Sequence, residues 1–546
     1  MQDVARRVVI VGAGHGGGST AALLRQGGFD GHIDLVGAEP VGPYHRPPLS
    51  KSLLKGELLQ PLHATDFYSR QAIALRTGTR VVEIDRAACE VLLDDGSSLN
   101  YDDLVIATGS TPRRLEVPGA DLEGVVELRT VVDAEVLSEL VAKYQDVVVI
   151  GGGWIGLEVA AAARDAGVQV TVLEREARIL GRVASSRLAS VIHECHVRSG
   201  TRILTSAAVE AMEAAEDGRV GSVRLADGDQ IGCSVVLLAV GGAPDVALAA
   251  AAGLLCDNGV LVDEWARTSD PRIYAVGDVS SRPVPLVGDG RYRLESIPSA
   301  IEQARQAVAA ILGSAAPAPE VPWFWSDQFD QKIQIAGLMG DADTSVVRAT
   351  GSSYSIVHLR GERLVAIEAT NAPRDFIAAR NAIRDGRFAD ARLLADTSVA
   401  LADALHREAF TPAQAIDVAN GNSLDPAPMT EMAGSAGVDG TPRVVFVQED
   451  GSFDAVAIEA GMSLMEAGVR NNVHGIIAEC GGTMSCGTCH VILDEQWRSR
   501  LVDVSADETD VLEFLDNSQV GSRLGCQIEM TDSLDGIVAR IPPSNH

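Results

Sequence analysis

Short apolar runs that stop at glycine dominate the first half of the chain. Arg7-Val-Val-Ile-Val11 leads into Gly12-Ala-Gly14-His-Gly16-Gly17, and a stretch rich in alanine and leucine follows. Such an order predicts a buried strand, a tight turn and a helix. A second run, Ile33-Asp-Leu-Val36, ends near Glu39. The pattern returns at Val147-Val-Val-Ile150, followed by Gly151-Gly-Gly153-Trp-Ile-Gly156 and then Val170-Thr-Val-Leu173, which ends at Glu174. Two further runs, Leu104-Val-Ile-Ala107-Thr108-Gly109 and Ile273-Tyr-Ala-Val-Gly-Asp278, read as strands closing in a turn and in a carboxylate. Towards the C-terminus the period changes. Val444–Val447 and Ala455–Ile458 flank Glu449-Asp-Gly-Ser452, which predicts a hairpin. Ser463 and Glu466 then form a capping box, and the acidic run Asp503, Asp507, Glu508, Asp510, Glu513 reads as a helix. Around 419–440 periodicity gives way to Gly, Pro, Ser and Ala, the composition of a linker.

Each glycine motif sits between a strand and a helix and is followed by an acid at the end of the next strand. In that context the glycines permit a tight turn and close approach of a pyrophosphate, the helix N-terminus faces the phosphates, and the acid holds a ribose hydroxyl. Each pyrophosphate needs its own helix terminus, so two units imply two dinucleotides. Glu174 would accept a hydrogen bond from a 2′-hydroxyl and repel a 2′-phosphate, which favours NADH over NADPH although Arg175 and Arg178 lie close.

A second chemistry lies in the cysteines. Cys480, Cys486 and Cys489 follow a C-x5-C-x2-C spacing, and Cys526 comes after a gap of 36 residues. Zinc ribbons usually pair two short knuckles, whereas three of these ligands crowd one loop. Four thiolates can hold two irons and two sulfides. Gly481, Gly482 and Gly487 would let backbone N–H groups approach the sulfides.

Several segments carry a family resemblance. The strand ending at Gly109 and the one ending at Asp278 resemble those of two-dinucleotide flavoprotein reductases, in which the second fold is inserted into the first. Pro43-Tyr-His-Arg-Pro-Pro-Leu-Ser-Lys51, Leu128-Arg-Thr130, Arg293-Leu-Glu-Ser-Ile297 and Trp323-Phe-Trp-Ser-Asp-Gln328 narrow this, over residues 5–405, to the putidaredoxin-reductase-like, oxygenase-coupled NADH–ferredoxin reductases. The resemblance implies FAD in the first unit, held by Gly12, Gly14, Gly16, Gly17, Glu39, Arg46, Lys51, Val82, Ala107, Thr108, Gly109, Arg129, Asp278 and Ile297. It implies NAD(P)H in the second, at Gly151, Gly153, Gly156 and Glu174. Lys51 would lie near the reactive end of the flavin and stabilise its reduced form. Glu158 would lie near the nicotinamide, and Trp325 at the ferredoxin-facing edge of the pocket. One departure is Ser299, where similar reductases often have Asn. The cysteine segment resembles the [2Fe–2S] ferredoxins of the adrenodoxin and putidaredoxin class. That implies Cys480, Cys486, Cys489 and Cys526 as iron ligands and the acidic helix as a docking site for basic partners. His490 would then be a structural hydrogen-bonding residue. Disulfide reductases of the flavoprotein fold use a cysteine pair beside the flavin. Residues 1–440 contain no C-x4-C or C-x-x-C, so electrons must leave the flavin directly.

Composition limits the partners. The chain has 546 residues, 75 Asp and Glu against 45 Lys and Arg, and a net charge of −30, which argues against nucleic acid. Residues 441–546 hold 17 acids against six Arg and no Lys, a surface suited to basic patches. The other four cysteines, Cys89, Cys195, Cys233 and Cys256, are scattered, as in a reducing compartment. No apolar run approaches a membrane span and the first strand begins within a few residues, so a cytoplasmic protein is expected.

The expected architecture is an α/β two-dinucleotide-binding flavoprotein with an α+β C-terminal interface domain, linked to an α+β β-grasp ferredoxin. The expected boundaries are 1–115 and 240–318 for FAD, 116–239 for NAD, 319–418 for the reductase C-terminal domain, 419–440 for the linker and 441–546 for the ferredoxin. NADH would reduce FAD, FAD would reduce the [2Fe–2S] cluster one electron at a time, and the cluster would supply an external oxygenase, a cytochrome P450 first and a Rieske-type oxygenase second. An NADH oxidase and a redox-sensing flavoprotein are the competing classes.

Overall fold

The computed structural model describes residues 6–52, 54, 56–407, 442–459, 461–484, 486–515 and 517–543. The expected linker lies outside the described residues. The chain divides into two units, Met1–Ile335 and Ala336–His546.

The first unit is built on two parallel sheets. Arg7–Val11 lies at the centre of the first, between Asp103–Ile106 and His32–Val36, with Ile273–Ala275 and Ile73–Arg76 outside them. Both faces of the central strand are covered, so Val8, Val9 and Ile10 are buried, which is why the run is continuously apolar. Asp146–Ile150 holds the same central place in the second sheet, between Gln169–Leu173 and Val235–Leu238. Ile273–Ala275 returns to the first sheet only after the second has been completed, so one dinucleotide fold is inserted into the other. The two chain crossings are zipped together, Ser110–Pro112 pairing antiparallel with Gly242–Pro244.

The second unit contains an antiparallel sheet of Thr344–Thr350, Ser353–Arg360 and Arg363–Thr370. The helix Pro373–Arg384 packs on it through Phe376, Ile377 and Ala379. The unit also contains a mixed five-stranded sheet in the order Phe453–Ala457, Arg443–Val447, Ile537–Arg540, His490–Leu493, Ser522–Leu524. Its first two strands form the expected hairpin, and Arg443–Val447 runs parallel to Ile537–Arg540. Leu464–Arg470 carries both hydrogen bonds of the Ser463–Glu466 capping box. Val444, Phe446, Leu464, Val491 and Ile537 form the core.

The acidic run needs a correction. The helix spans Ala506–Leu512 behind a Ser505 cap, so Asp503 lies outside it. Glu508 does not face partners: it is buried, and it accepts from Arg523 Nε at 2.9 Å, Arg523 Nη2 at 3.1 Å and the Leu524 N–H at 2.7 Å. A buried guanidinium that loses its only close counter-charge costs far more than a surface pair is worth. Glu508→Ala is therefore expected to destabilise this domain by about 3–5 kcal/mol, measured by denaturant unfolding followed in the visible absorption of the cluster.

Candidate functional site

A cavity of about 670 Å³ opens in the first unit along the first glycine motif. Gly12, Gly14 and Gly16 line one wall, and Glu39, Arg46, Lys51, Val82, Ala107, Thr108, Gly109, Arg129, Glu158, Asp278, Ile297 and Trp325 line the rest. No cysteine is among the lining residues. The helix His15–Gln26 starts at Gly14 with no side-chain cap and no acid in its first turn, so its end N–H groups point at the cavity without a competing anion. Gly12 has φ of +111°, and a Cβ on it would stand 2.2 Å from the Ala107 carbonyl oxygen. Gly17 does not line the cavity, and its Cβ would lie 1.9 Å from the Gly12 oxygen, a close approach that packs the helix against the strand.

Glu39 accepts from Tyr44 Oη at 2.6 Å and pairs with Arg46 Nη2 at 2.6 Å. Arg46 Nη1 also donates to the Arg129 carbonyl at 2.5 Å. Asp278 accepts from Ser110 Oγ at 3.1 Å and from Arg129 Nη2 at 3.3 Å. Burial and the neighbouring Arg46 lower the pKa of Arg129, while Asp278 opposes the shift. His15, also on the wall, is held neutral by burial and by His45, whose Nδ1 lies 3.2 Å from its Nε2.

The end of the cavity near Trp325 is polar and buried. Glu158 accepts from Ser326 Oγ at 2.6 Å and Ser50 Oγ at 2.5 Å, and pairs with Lys51 Nζ at 3.1 Å. Asp327 lies 3.9 Å from Lys51 Nζ; burial raises its pKa, with Lys51 opposing and Glu158 adding to the rise. Lys51 is thus no free surface lysine, and Glu158 is tied to it. Trp325 is buried and its ring lies 5.3 Å from that of Trp323. Ser299, the departure in the sequence, lies off the cavity wall and bonds Gln303 and Arg282 instead. Ser50, Tyr44 and Ser326 were not singled out from sequence; they fall inside the quoted motifs, but only long-range pairing gives them a role.

The second glycine motif repeats the geometry of the first. Gly151 also has φ of +111°, and Gly153 begins an uncapped helix, Trp154–Asp165. A Cβ on Gly153 would meet nothing within 4 Å, whereas one on Gly156 would lie 2.3 Å from the Gly151 oxygen. Glu174 ends the adjoining strand and accepts from the Gly152 N–H at 2.8 Å and the Glu176 N–H at 2.8 Å.

In the second unit, Cys480, Cys486 and Cys489 are buried and Cys526 is nearly so. Cys486 Sγ lies 3.3 Å from Cys480 Sγ, and Cys526 shares a hydrogen bond with Cys489. Burial, then Cys480, push the Cys486 thiol far up; Cys526, then burial, do the same to Cys489, while the Cys526 pKa falls. Among the described residues, no three or more His, Cys, Asp or Glu come together as a site for a metal ion. The sulfurs form two pairs, three of them from one loop and Cys526 from the turn Gly525–Gln527, and a set of four cysteines so placed fits a two-iron cluster that would neutralise their thiolates. Gly482 lies beside Met465 and Cys526, its Cβ position 3.6 Å from the Met465 Cε and 3.7 Å from the Cys526 Cβ. His490 donates to or accepts from Ser522 Oγ at 2.7 Å, and burial lowers its pKa to about 4.

Two dinucleotide sites and a four-thiolate loop define an electron-transferring flavoprotein reductase joined to an iron–sulfur carrier. Residues 6–306 match the pyridine nucleotide-disulphide oxidoreductase family, 323–405 the reductase C-terminal family, and 447–531 the 2Fe-2S iron-sulfur cluster binding domain. The chain belongs to the pyridine nucleotide-disulphide oxidoreductase family. It is 44% identical over 382 residues to a probable ferredoxin reductase, CtmF, of Castellaniella defragrans, covering 69% of this chain and 93% of that one. Over 408 residues it is 42% identical to rhodocoxin reductase of Rhodococcus erythropolis, covering 73% and 95%. The crystal structure of the covalent putidaredoxin reductase–putidaredoxin complex matches with a TM-score of 0.70 and 38% identity, over 72% of this chain and 97% of that one. The chain is an NAD(P)H-dependent ferredoxin reductase fused to a [2Fe–2S] ferredoxin domain, and its cofactors are FAD, NADH and the cluster. No described helix is long and apolar enough to cross a membrane.

Proposed function

We propose that this chain passes electrons from NADH to an external cytochrome P450 through its own ferredoxin domain, in the cytoplasm. The observation that carries the proposal is the coexistence, on one polypeptide, of the glycine-walled cavity and the set of four cysteines, three buried in one loop and Cys526 brought to them by the turn Gly525–Gln527. FAD in the cavity would supply hydride acceptance and single-electron release, and a [2Fe–2S] cluster on the four cysteines would supply a one-electron acceptor. The protein supplies placement. The His15–Gln26 N-terminus and Gly14 hold the pyrophosphate, Glu39 (oriented by Tyr44 and Arg46) the ribose, and Asp278 with Arg129 the chain between ribose and ring. Lys51, held by Glu158, keeps a cation where negative charge collects on reduced flavin. Glu158 and Trp325 close that end of the cavity against water. Cys480 and Cys486 would hold one iron, Cys489 and Cys526 the other. The free cysteines suit a reducing compartment, and a ferredoxin of the putidaredoxin class suits a P450. The test is NADH-driven formation of the carbon-monoxide complex of a ferrous P450. Its appearance with a P450, and not with a Rieske oxygenase, is the expected result; turnover of the Rieske enzyme alone would reverse the assignment.

Coenzyme choice gives a second test. Glu174 is held by two backbone N–H groups, so its carboxylate is fixed before a coenzyme binds. Glu174→Ala is expected to lower kcat/KM for NADH by about 10-fold or more, the scale of one charge-assisted hydrogen bond, and to raise it for NADPH, in steady-state assays with ferricyanide.

A further inference from the structure

The outward face of the Ala506–Leu512 helix is occupied by this chain itself. Glu508, Val511 and Leu512 turn inward. Asp510 and Glu513, three residues apart, lie on one outward face. Both meet Arg374: its Nε donates to Asp510 Oδ1 at 2.6 Å, its Nη2 lies 2.6 Å from the same oxygen, and 3.4 Å from Glu513 Oε2. Asp510 is left only 23% exposed. Arg374 comes from Pro373–Arg384, the helix packed on the antiparallel sheet that follows the flavin pocket in sequence. It stands in the first turn of that helix, where the dipole disfavours a cation. Its neighbour Asp375 is used inside its own domain by Arg348 and Ser355. Among the described residues, the ion pairs of Arg374 are with Asp510 and Glu513 on the ferredoxin.

We infer that Arg374 and the Asp510–Glu513 face form a parking contact that holds the ferredoxin on its reductase and masks the face a basic electron acceptor would use. This rests on reading the C-terminal module as a one-electron carrier. An exposed pair of this kind is weak in isolation. Joined on one chain it works at an effective concentration on the order of millimolar, enough to populate a weak contact substantially. The same weakness lets an acceptor displace it, so the contact is a competitor and not a lock.

The test uses the full-length holoprotein with lysine-rich cytochrome c as acceptor, and ferricyanide as a small acceptor indifferent to the helix. Arg374→Glu is expected to raise kcat/KM for cytochrome c about twofold to fivefold, the range of an exposed charge pair, with ferricyanide turnover and cluster absorption unchanged. Arg374→Gln gives a smaller rise in the same direction and stands in if the reversal disturbs folding. In an Asp510→Asn, Glu513→Gln background, Arg374→Glu should add nothing. An unchanged or lower kcat/KM in the single variants overturns the inference, as does a further rise in the neutralised background. Native protein that lacks the cluster, or that fails to reduce cytochrome c at all, would instead overturn the carrier reading itself.

Discussion

Cys486→Ser is expected to remove nearly all delivery of electrons to protein acceptors while NADH-dependent reduction of ferricyanide continues at close to the native rate. Cys486 is buried against Cys480 and Thr488. Serine oxygen is a harder, less readily ionised ligand than sulfur. The loss should be on the order of 100-fold, the upper end of what disturbing a metal site costs in affinity. Because the cavity proposed for the flavin lies in the other unit, the hydride step should be spared. Iron and acid-labile sulfide analysis beside parallel cytochrome c and ferricyanide assays checks both halves. Unimpaired cytochrome c reduction would mean that electrons leave the flavin by another road, as in an NADH oxidase or a sensor.

Gly12→Ala should do the reverse, costing the protein its FAD while sparing the cluster. The added Cβ would sit 2.2 Å from the Ala107 oxygen and 2.5 Å from its carbon. Those are backbone atoms just past Asp103–Ile106, the neighbour of the central strand, so relief requires parting the sheet at its middle. Backbone strain at φ of +111° adds to the clash. A loss of about 3–4 kcal/mol is expected, with the purified chain keeping its iron–sulfur absorption and losing bound flavin. Gly28→Ala is the control: φ is +83°, but nothing lies within 4 Å of its Cβ, so only the left-handed backbone term of about 1–2 kcal/mol remains. Equal damage from both substitutions would show that the close approach at Gly12 is not what matters.

The parts of this molecule legible from sequence are those written in local patterns. Val8–Ile10 and Val147–Ile150 are apolar on both faces because they are central parallel strands, and their glycines mark the places where Ala107 and Ala239 crowd the turn. The capping box at Ser463 is equally local. What local patterns do not record is a residue's distant partner. Glu508 looked like one more surface acid in a charged run, and only Arg523, 15 residues on, makes it a core residue. Lys51 and Glu158 lie in separate sequence motifs, and in the fold they are one ion pair across 107 positions, completed by Ser50 and Ser326. Nothing in the periodicity of either segment records that pairing. Gly17 belongs to the same motif as the cavity-lining glycines, and its close approach is to the Gly12 oxygen.

The most direct test of the whole account is to mix the anaerobic holoprotein rapidly with NADH and follow the flavin and iron–sulfur bands apart. The flavin should bleach first and the cluster should follow without any added carrier. Bleached flavin beside a cluster that stays oxidised, or a chain that holds neither iron nor labile sulfide after anaerobic reconstitution, would contradict it.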